Sequence, residues 1–252
     1  MRAAPIVLAA ALASLGLPSA RSEPTTPARA AAFAKLPNWS GEWGPYPLNS
    51  TVGGQGGIKM LLILGHPPYK PDWEKAFQAR IADRATVMHK SCIIDYPGMM
   101  ESPQPFEMLV TPEQTLIIAG DGAVRHIYTD GRGHPKPEDL WPTLYGDSIG
   151  RWEGGTLVID TIARKAGPDR FVGLLSFSGE AHFVERIRET APGILENQMT
   201  IEDPVAFTQP WKLTLQYQRL KDIDRIIPYE CEENDRVEIV DGKGVIAPRA
   251  QN

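Results

Sequence analysis

From Pro105 onward the chain is a succession of short β-rich runs broken by turn signals, and this punctuation limits the fold more than any other feature. Phe106 to Thr111, Thr115 to Ala119, Val124 to Thr129, Ser148 to Glu153, Thr156 to Thr161, Ala181 to Thr190, Ile194 to Glu202 and Trp211 to Leu220 are all of strand length. Asp121-Gly122, Gly154-Gly155, Pro192-Gly193 and Asp203-Pro204 separate them, as turn dipeptides do. Tyr229 to Glu232 reads as one further strand. The links are mostly too short for parallel crossovers, so neighbouring strands should be antiparallel. Eight or nine such strands fit one closed or partly closed sheet better than a sandwich.

The most sharply written unit is the hairpin from Asp147 to Thr161. Gly154-Gly155 forms its two-residue loop, where a primed turn needs the positive φ that glycine adopts without a Cβ clash. On the return strand Leu157, Ile159 and Thr161 alternate with Val158 and Asp160, and an Asp among β-branched residues needs a partner or water. Elsewhere Trp211, Leu213, Leu215 and Tyr217 share one face, as do Phe183, Glu185 and Ile187. A carboxylate on the apolar side of a strand is costly unless paired or protonated, so Glu185 is either an ion-pair member or a cavity residue.

Upstream, Pro71 to Met88 is the one clear helix, with Trp73, Phe77, Ile81 and Ala85 in a single apolar stripe. Gly53 to Gly57 reads as a loop, and Ser91 to Ser102 as irregular. Gly41-Glu42-Trp43 resembles the first strand of lipocalin-type barrels, in which the Trp plugs the barrel floor. The expected fold is therefore all-β and mainly antiparallel: a lipocalin-like up-and-down barrel of about eight or nine strands with one N-terminal helix, forming a single domain over residues 39–252.

Ahead of that domain, residues 23–38 are rich in Pro and Ala and read as a flexible lead-in. Residues 1–22 carry Arg2, an apolar run from Ala3 to Leu17 and small residues near Ala20 and Ser22, the pattern of a cleaved signal peptide. The run is short for a membrane span, so a periplasmic or secreted protein without a membrane span is expected. Removing residues 1–22 takes out Arg2 and Arg21 and moves the formal net charge from −5 to −7. A mildly acidic chain lacks the basic stripe that nucleic acid demands. Cys92 and Cys231 are either a disulfide pair or two buried thiols. Homo-oligomerisation is left open.

The five histidines show no zinc spacing, and neither a phosphate loop with its Lys-Ser/Thr ending nor a Gly-x-Ser-x-Gly elbow occurs, so no metal and no organic cofactor is expected. His182 and Glu185 should face opposite sides of their strand. What remains is a proton-transfer inventory around a presumed cavity. Tyr128, Asp130, Asp147, Arg151, His182 and Glu185 are the catalytic candidates, because a sheltered carboxylate or imidazole can act as a base and Arg or Tyr can hold a developing alkoxide or phenolate. Trp43, Glu107, Arg125, His126, His134, Trp152 and Tyr217 are the candidates for substrate binding.

Pro105 to Leu109, Val124 to Pro135, Ser148 to Asp160, His182 to Arg186, Thr200 to Pro204 and Tyr229 to Asn234 together resemble a broad family of exported bacterial proteins, most without an assigned function. The resemblance covers residues 39–235. Members often read Gly-His-Ser-Ile-Gly-Arg-Trp-Glu-Gly-Asp-Thr-Leu, whereas here Asp147 stands where that His does and Gly155 where that Asp does. The chain is also similar to cofactor-independent γ-formaldehyde lyases acting on lignin-derived phenylcoumaran dimers. That resemblance implies a base removing the γ-hydroxyl proton, loss of formaldehyde and opening of the dihydrofuran ring to a stilbene. The rival expectations are a lipocalin-like carrier of a small apolar ligand, a hydro-lyase or isomerase acting on a small aromatic substrate, and a structural scaffold whose barrel interior is packed solid with Leu, Val and Phe.

Overall fold

The computed structural model describes residues 25–46, 65–83, 95–101, 105–168, 174–223, 225–226, 237–240 and 243–246. The signal-like residues 1–22, the loop expected at Gly53 to Gly57, Cys92, Cys231 and the strand expected at Tyr229 to Glu232 lie outside them. Nine strands close into one barrel. They are β1 (Gly41–Pro45), β2 (Phe106–Val110), β3 (Gln114–Ala119), β4 (Val124–Tyr128), β5 (Asp147–Glu153) and β6 (Thr156–Ile162), then β9 (His182–Ala191), β10 (Ile194–Glu202) and β11 (Trp211–Arg219). A two-residue ladder, β7 (Gly167–Pro168) with β8 (Ser176–Phe177), lies between β6 and β9 in the chain. A separate hairpin joins β12 (Val237–Val240) to β13 (Lys243–Ile246).

The barrel order is β1-β11-β10-β9-β6-β5-β4-β3-β2, closed by β1 on β2. Period-2 alternation puts Phe106, Met108, Ile117, Ile127, Leu157, Ile159, Phe183, Ile187, Leu195, Met199, Leu213 and Tyr217 inside, all buried. Each such side chain withdrawn from water contributes roughly 1.5–3 kcal/mol. The hairpin forms as its glycines require, with Gly154 at φ +60 and Glu153 opposite Thr156. At the seam Arg219 of β11 lies over the Trp43 ring, 4.5 Å from its centroid, and the Trp43 indole donates to Trp39 O at 2.8 Å.

One pairing departs from the antiparallel expectation: β4 and β5 run parallel, with Tyr128 opposite Ile149. Residues 129–146 make this feasible, because a link of that length can return along the outside of the barrel. The sheet is therefore mixed, not a pure up-and-down meander. Helices also exceed the single one expected. In the stretch read as a lead-in, α1 (Pro27–Phe33) starts on Pro27, and its Thr26 cap accepts from Arg29 N at 3.2 Å. Helix α2 (Pro71–Ala82) carries Trp73, Phe77 and Ile81 of the expected stripe and buries Phe77, while Ala85 and the expected continuation to Met88 lie outside the described residues. It covers the end of the barrel at the β10–β11 link, where Lys70 N donates to Ala206 O and the Tyr69 ring meets Phe207 at 5.3 Å.

The third helix, α3 (Gly98–Glu101), belongs to a plug. Asp95, Tyr96, Met99 and Met100 are all buried. Tyr96 meets the inward-facing Phe183 edge-on at 4.9 Å, and Tyr217 Oη donates to Met100 O at 3.0 Å. An ion pair from Arg164 Nη2 to Asp95 Oδ2, 2.6 Å long, anchors the plug just beyond the end of β6. The lumen is thus occupied by the chain's own side chains. Among the described residues no helix is long and apolar enough to cross a membrane.

Candidate functional site

The inward polar positions gather into one buried group. Arg125 of β4 and Glu185 of β9 meet at 2.5 Å, 1% and 0% exposed. Tyr96 Oη donates to Glu185 Oε2 at 2.9 Å and Asn197 Nδ2 to Glu185 Oε1 at 2.8 Å. Arg125 also donates to Thr161 Oγ1 at 2.9 Å and Ser148 Oγ at 3.3 Å, and its guanidinium lies 3.9 Å from the Tyr96 ring centroid. Burial, and then the Glu185 charge, push the Tyr96 phenol well above its ordinary value, so it stays a donor. Solvent does not reach this group. It satisfies a carboxylate that the strand alternation forces inward, while Arg125 Nη1 and Asn197 Oδ1 are buried there without a hydrogen-bond partner.

A second group stands on the outer wall, towards the α2 end. The crossover 129–146 brings His134 back along the outside of β5 and β6. There His134 Nδ1 lies 2.5 Å from Asp147 Oδ1, and its Nε2 lies 3.1 Å from Asp160 Oδ1. The same Asp160 oxygen lies 2.9 Å from His182 Nε2. His182 Nδ1 is 3.9 Å from Glu202 Oε2, beyond hydrogen-bonding distance. The side chains of His134, Asp147, Asp160 and His182 are 18%, 24%, 35% and 35% exposed, half-sheltered yet reachable.

Register assembles this array. Asp160 faces Ile149 on β5 and Val184 on β9, and His182 faces Glu202. His182 is thus the diagonal neighbour of Asp160 on the outer face, within reach of a long side chain. An ionised carboxylate only accepts, so Asp160 selects the His182 tautomer with hydrogen on Nε2. The Nδ1 lone pair is then free of any hydrogen bond, with the Glu202 carboxylate 3.9 Å away, which is how a carboxylate-oriented imidazole presents itself as a general base.

The expected site residues divide between several places. Trp43, Arg125, Glu185 and Tyr217 face the packed lumen. His134, Asp147 and His182 meet on the outer wall, where His182 and Glu185 do face opposite ways. Asp130 is gripped by Arg132 through contacts of 2.6–3.0 Å, and the Arg132 hydrogen bonds hold its carboxyl below the ordinary value. Arg132 also lies 4.1 Å from the Tyr128 ring centroid, and Tyr128 stacks with His126. Exposed His126 contacts Gln114 at 3.1 Å. Arg151 is exposed and paired with Glu153 at 2.9 Å, Trp152 stands at the α1 end beside Trp39, and Glu107 lies opposite Glu42.

Two central members, Asp160 and Tyr96, were absent from the candidate set. Asp160 carried a signal, an acid in mid-strand that needed a partner. Tyr96 carried none. No group of three or more His, Cys, Asp or Glu side chains among the described residues is arranged to hold a metal ion. The chain matches no protein-family model, and no curated protein is significantly similar to it.

Proposed function

We propose that the protein is a cofactor-independent carbon–carbon lyase that releases formaldehyde from the γ-hydroxymethyl group of a lignin-derived phenylcoumaran-type dimer. The resemblance described above supplies the reaction. The observation that carries the chemistry is the Asp160–His182 pair, an oriented imidazole with one ring nitrogen left to take a proton.

In this reading His182 Nδ1 takes the γ-hydroxyl proton. The bond from the γ-carbon to the β-carbon breaks and formaldehyde leaves. Its electron pair becomes the new α–β double bond, the bond from the α-carbon to the ring oxygen breaks, and the phenolate so formed takes up a proton. Atoms and electrons balance without a redox partner. His134, carrying hydrogen on both ring nitrogens when it bonds both Asp147 and Asp160, is the proton donor nearest to hand. Tyr128 lies on the same outer face, across Ile149 from Asp160, about 10 Å away at ordinary strand spacing, where an aryl ring can rest. The signal-like residues 1–22 add export to the periplasm or beyond.

A carrier using the barrel lumen is less favoured, because Tyr96, Met99 and Met100 fill it. The test is incubation with a phenylcoumaran dimer, trapping formaldehyde and following stilbene absorbance. His182→Ala should lower turnover by roughly 10²–10⁴-fold with KM little changed. Absence of formaldehyde with the wild-type protein, or full turnover in His182→Ala, would refute the reading.

A further inference from the structure

At the opposite end of β5 from Asp147, roughly 16 Å along the strand, a cleft of about 240 Å³ opens between α1 and the barrel mouth. Ala32, Phe33, Leu36, Pro112 and Trp152 make its walls mainly apolar. Gly150 takes an inward position of β5 between Ser148 and Trp152 and lines the cleft without a side chain. A Cβ there would sit 2.9 Å from Ile127 Cγ2 and 3.1 Å from Thr129 Cγ2.

Two cations stand at this cleft. Arg29 of α1 is held over it by a 3.2 Å hydrogen bond from Nη2 to Asp130 O. Arg151 shares Glu153 with Arg186, so that two guanidiniums face one carboxylate. Beneath the walls, Thr129 Oγ1 and Trp152 Nε1 are buried without a hydrogen-bond partner, as is Nε1 of Trp39, whose ring meets Trp152 at 4.9 Å. Donors left dry in this way cost about 1–3 kcal/mol each. A rotation about Thr129 χ1, or a small tilt of the indole, would offer one of them to an oxygen entering the cleft.

We propose that this cleft binds a single-ring aromatic anion, a benzoate or phenolate, with its ring against Trp152 and its oxygen toward Arg29 and Arg151. The volume suits one ring and is below the usual range for drug-sized ligands. Flat apolar walls favour an aromatic body, and the guanidiniums of Arg29 and Arg151, which both line the cleft, favour an anionic oxygen. The site is separate from the histidine array and stands whether or not the chain cleaves a dimer.

The test is titration of the full chain with 4-hydroxybenzoate, benzoate and toluene, following the Trp152 indole N–H resonance. The anions should shift that resonance with Kd on the order of 1 mM, as suits so small a ligand. Arg29→Gln combined with Arg151→Gln should weaken them about tenfold while leaving toluene unaffected. Ala32→Trp, on an exposed position of α1, should abolish the shift by filling the cleft. An unmoved indole overturns the proposal, as does a shift that persists in Ala32→Trp or toluene binding as tightly as benzoate. Formaldehyde release plays no part in this readout, so failure of the lyase reading would leave it intact.

Discussion

Arg125 Nη2 and Glu185 Oε2 lie 2.5 Å apart at the centre of the barrel, each charge withdrawn from solvent. Taking away one partner strands the other. Glu185→Ala should cost about 3–5 kcal/mol, whereas Arg125→Met with Glu185→Leu should recover most of that loss. Urea denaturation of the three proteins measures it. If the pair is architectural, the double variant also keeps formaldehyde release.

Asp160 orients His182 by accepting its Nε2 hydrogen. Asp160→Asn keeps the shape but puts an amide where the carboxylate stood, so the tautomer is no longer specified. Turnover should fall by about 10²-fold or more at nearly unchanged stability. Steady-state formaldehyde release and thermal melts, read together, separate loss of chemistry from loss of fold.

Tyr96 supplies the pH dependence. Its phenol is held well above the ordinary value of 10.0, so the folded state keeps a proton that the unfolded chain releases. The stabilisation is present in full below about pH 10 and is lost as pH rises toward the folded value. Wild type should therefore exceed Tyr96→Phe in stability near neutral pH, by about 1–3 kcal/mol for the lost hydrogen bond to Glu185. That margin should narrow above pH 10, as denaturation midpoints across the alkaline range will reveal.

Arg219 clamps the barrel seam. It donates to Ser40 O and Asn38 O, both at 2.8 Å, while lying over Trp43. Arg219→Lys retains the charge and loses the forked geometry. A loss of about 1–2 kcal/mol is expected for these bonds, and amide hydrogen exchange should quicken across β1 and β11 before the rest of the barrel.

Much of the barrel was legible because a strand is a local object. Alternation within Trp211 to Tyr217 and Phe183 to Ile187 already named the buried face, and the burial of these residues agrees with it. Gly154-Gly155 announced the β5–β6 hairpin. The parallel β4–β5 pairing was missed because nothing in residues 129–146 states where that link returns. The helix at Pro27–Phe33 was hidden by the Pro- and Ala-rich composition around it, although Pro27 suits a first helical turn. In the candidate site, Asp147, His134 and His182 were chosen singly. Their common partner Asp160 was visible only as an acid in an awkward place.

By itself, then, the sequence determined eight of the nine barrel strands, the glycine turn between β5 and β6 and which side chains of each strand face the same way. These follow from period-2 geometry and from the φ demands of glycine and proline, which act over a few residues. Only the tertiary structure decided that Tyr96 would plug the lumen beside Arg125 and Glu185, and that His134, Asp160 and His182 would meet outside it. Those meetings depend on inter-strand register and on the path of a crossover, and both are set by packing between segments far apart in the chain.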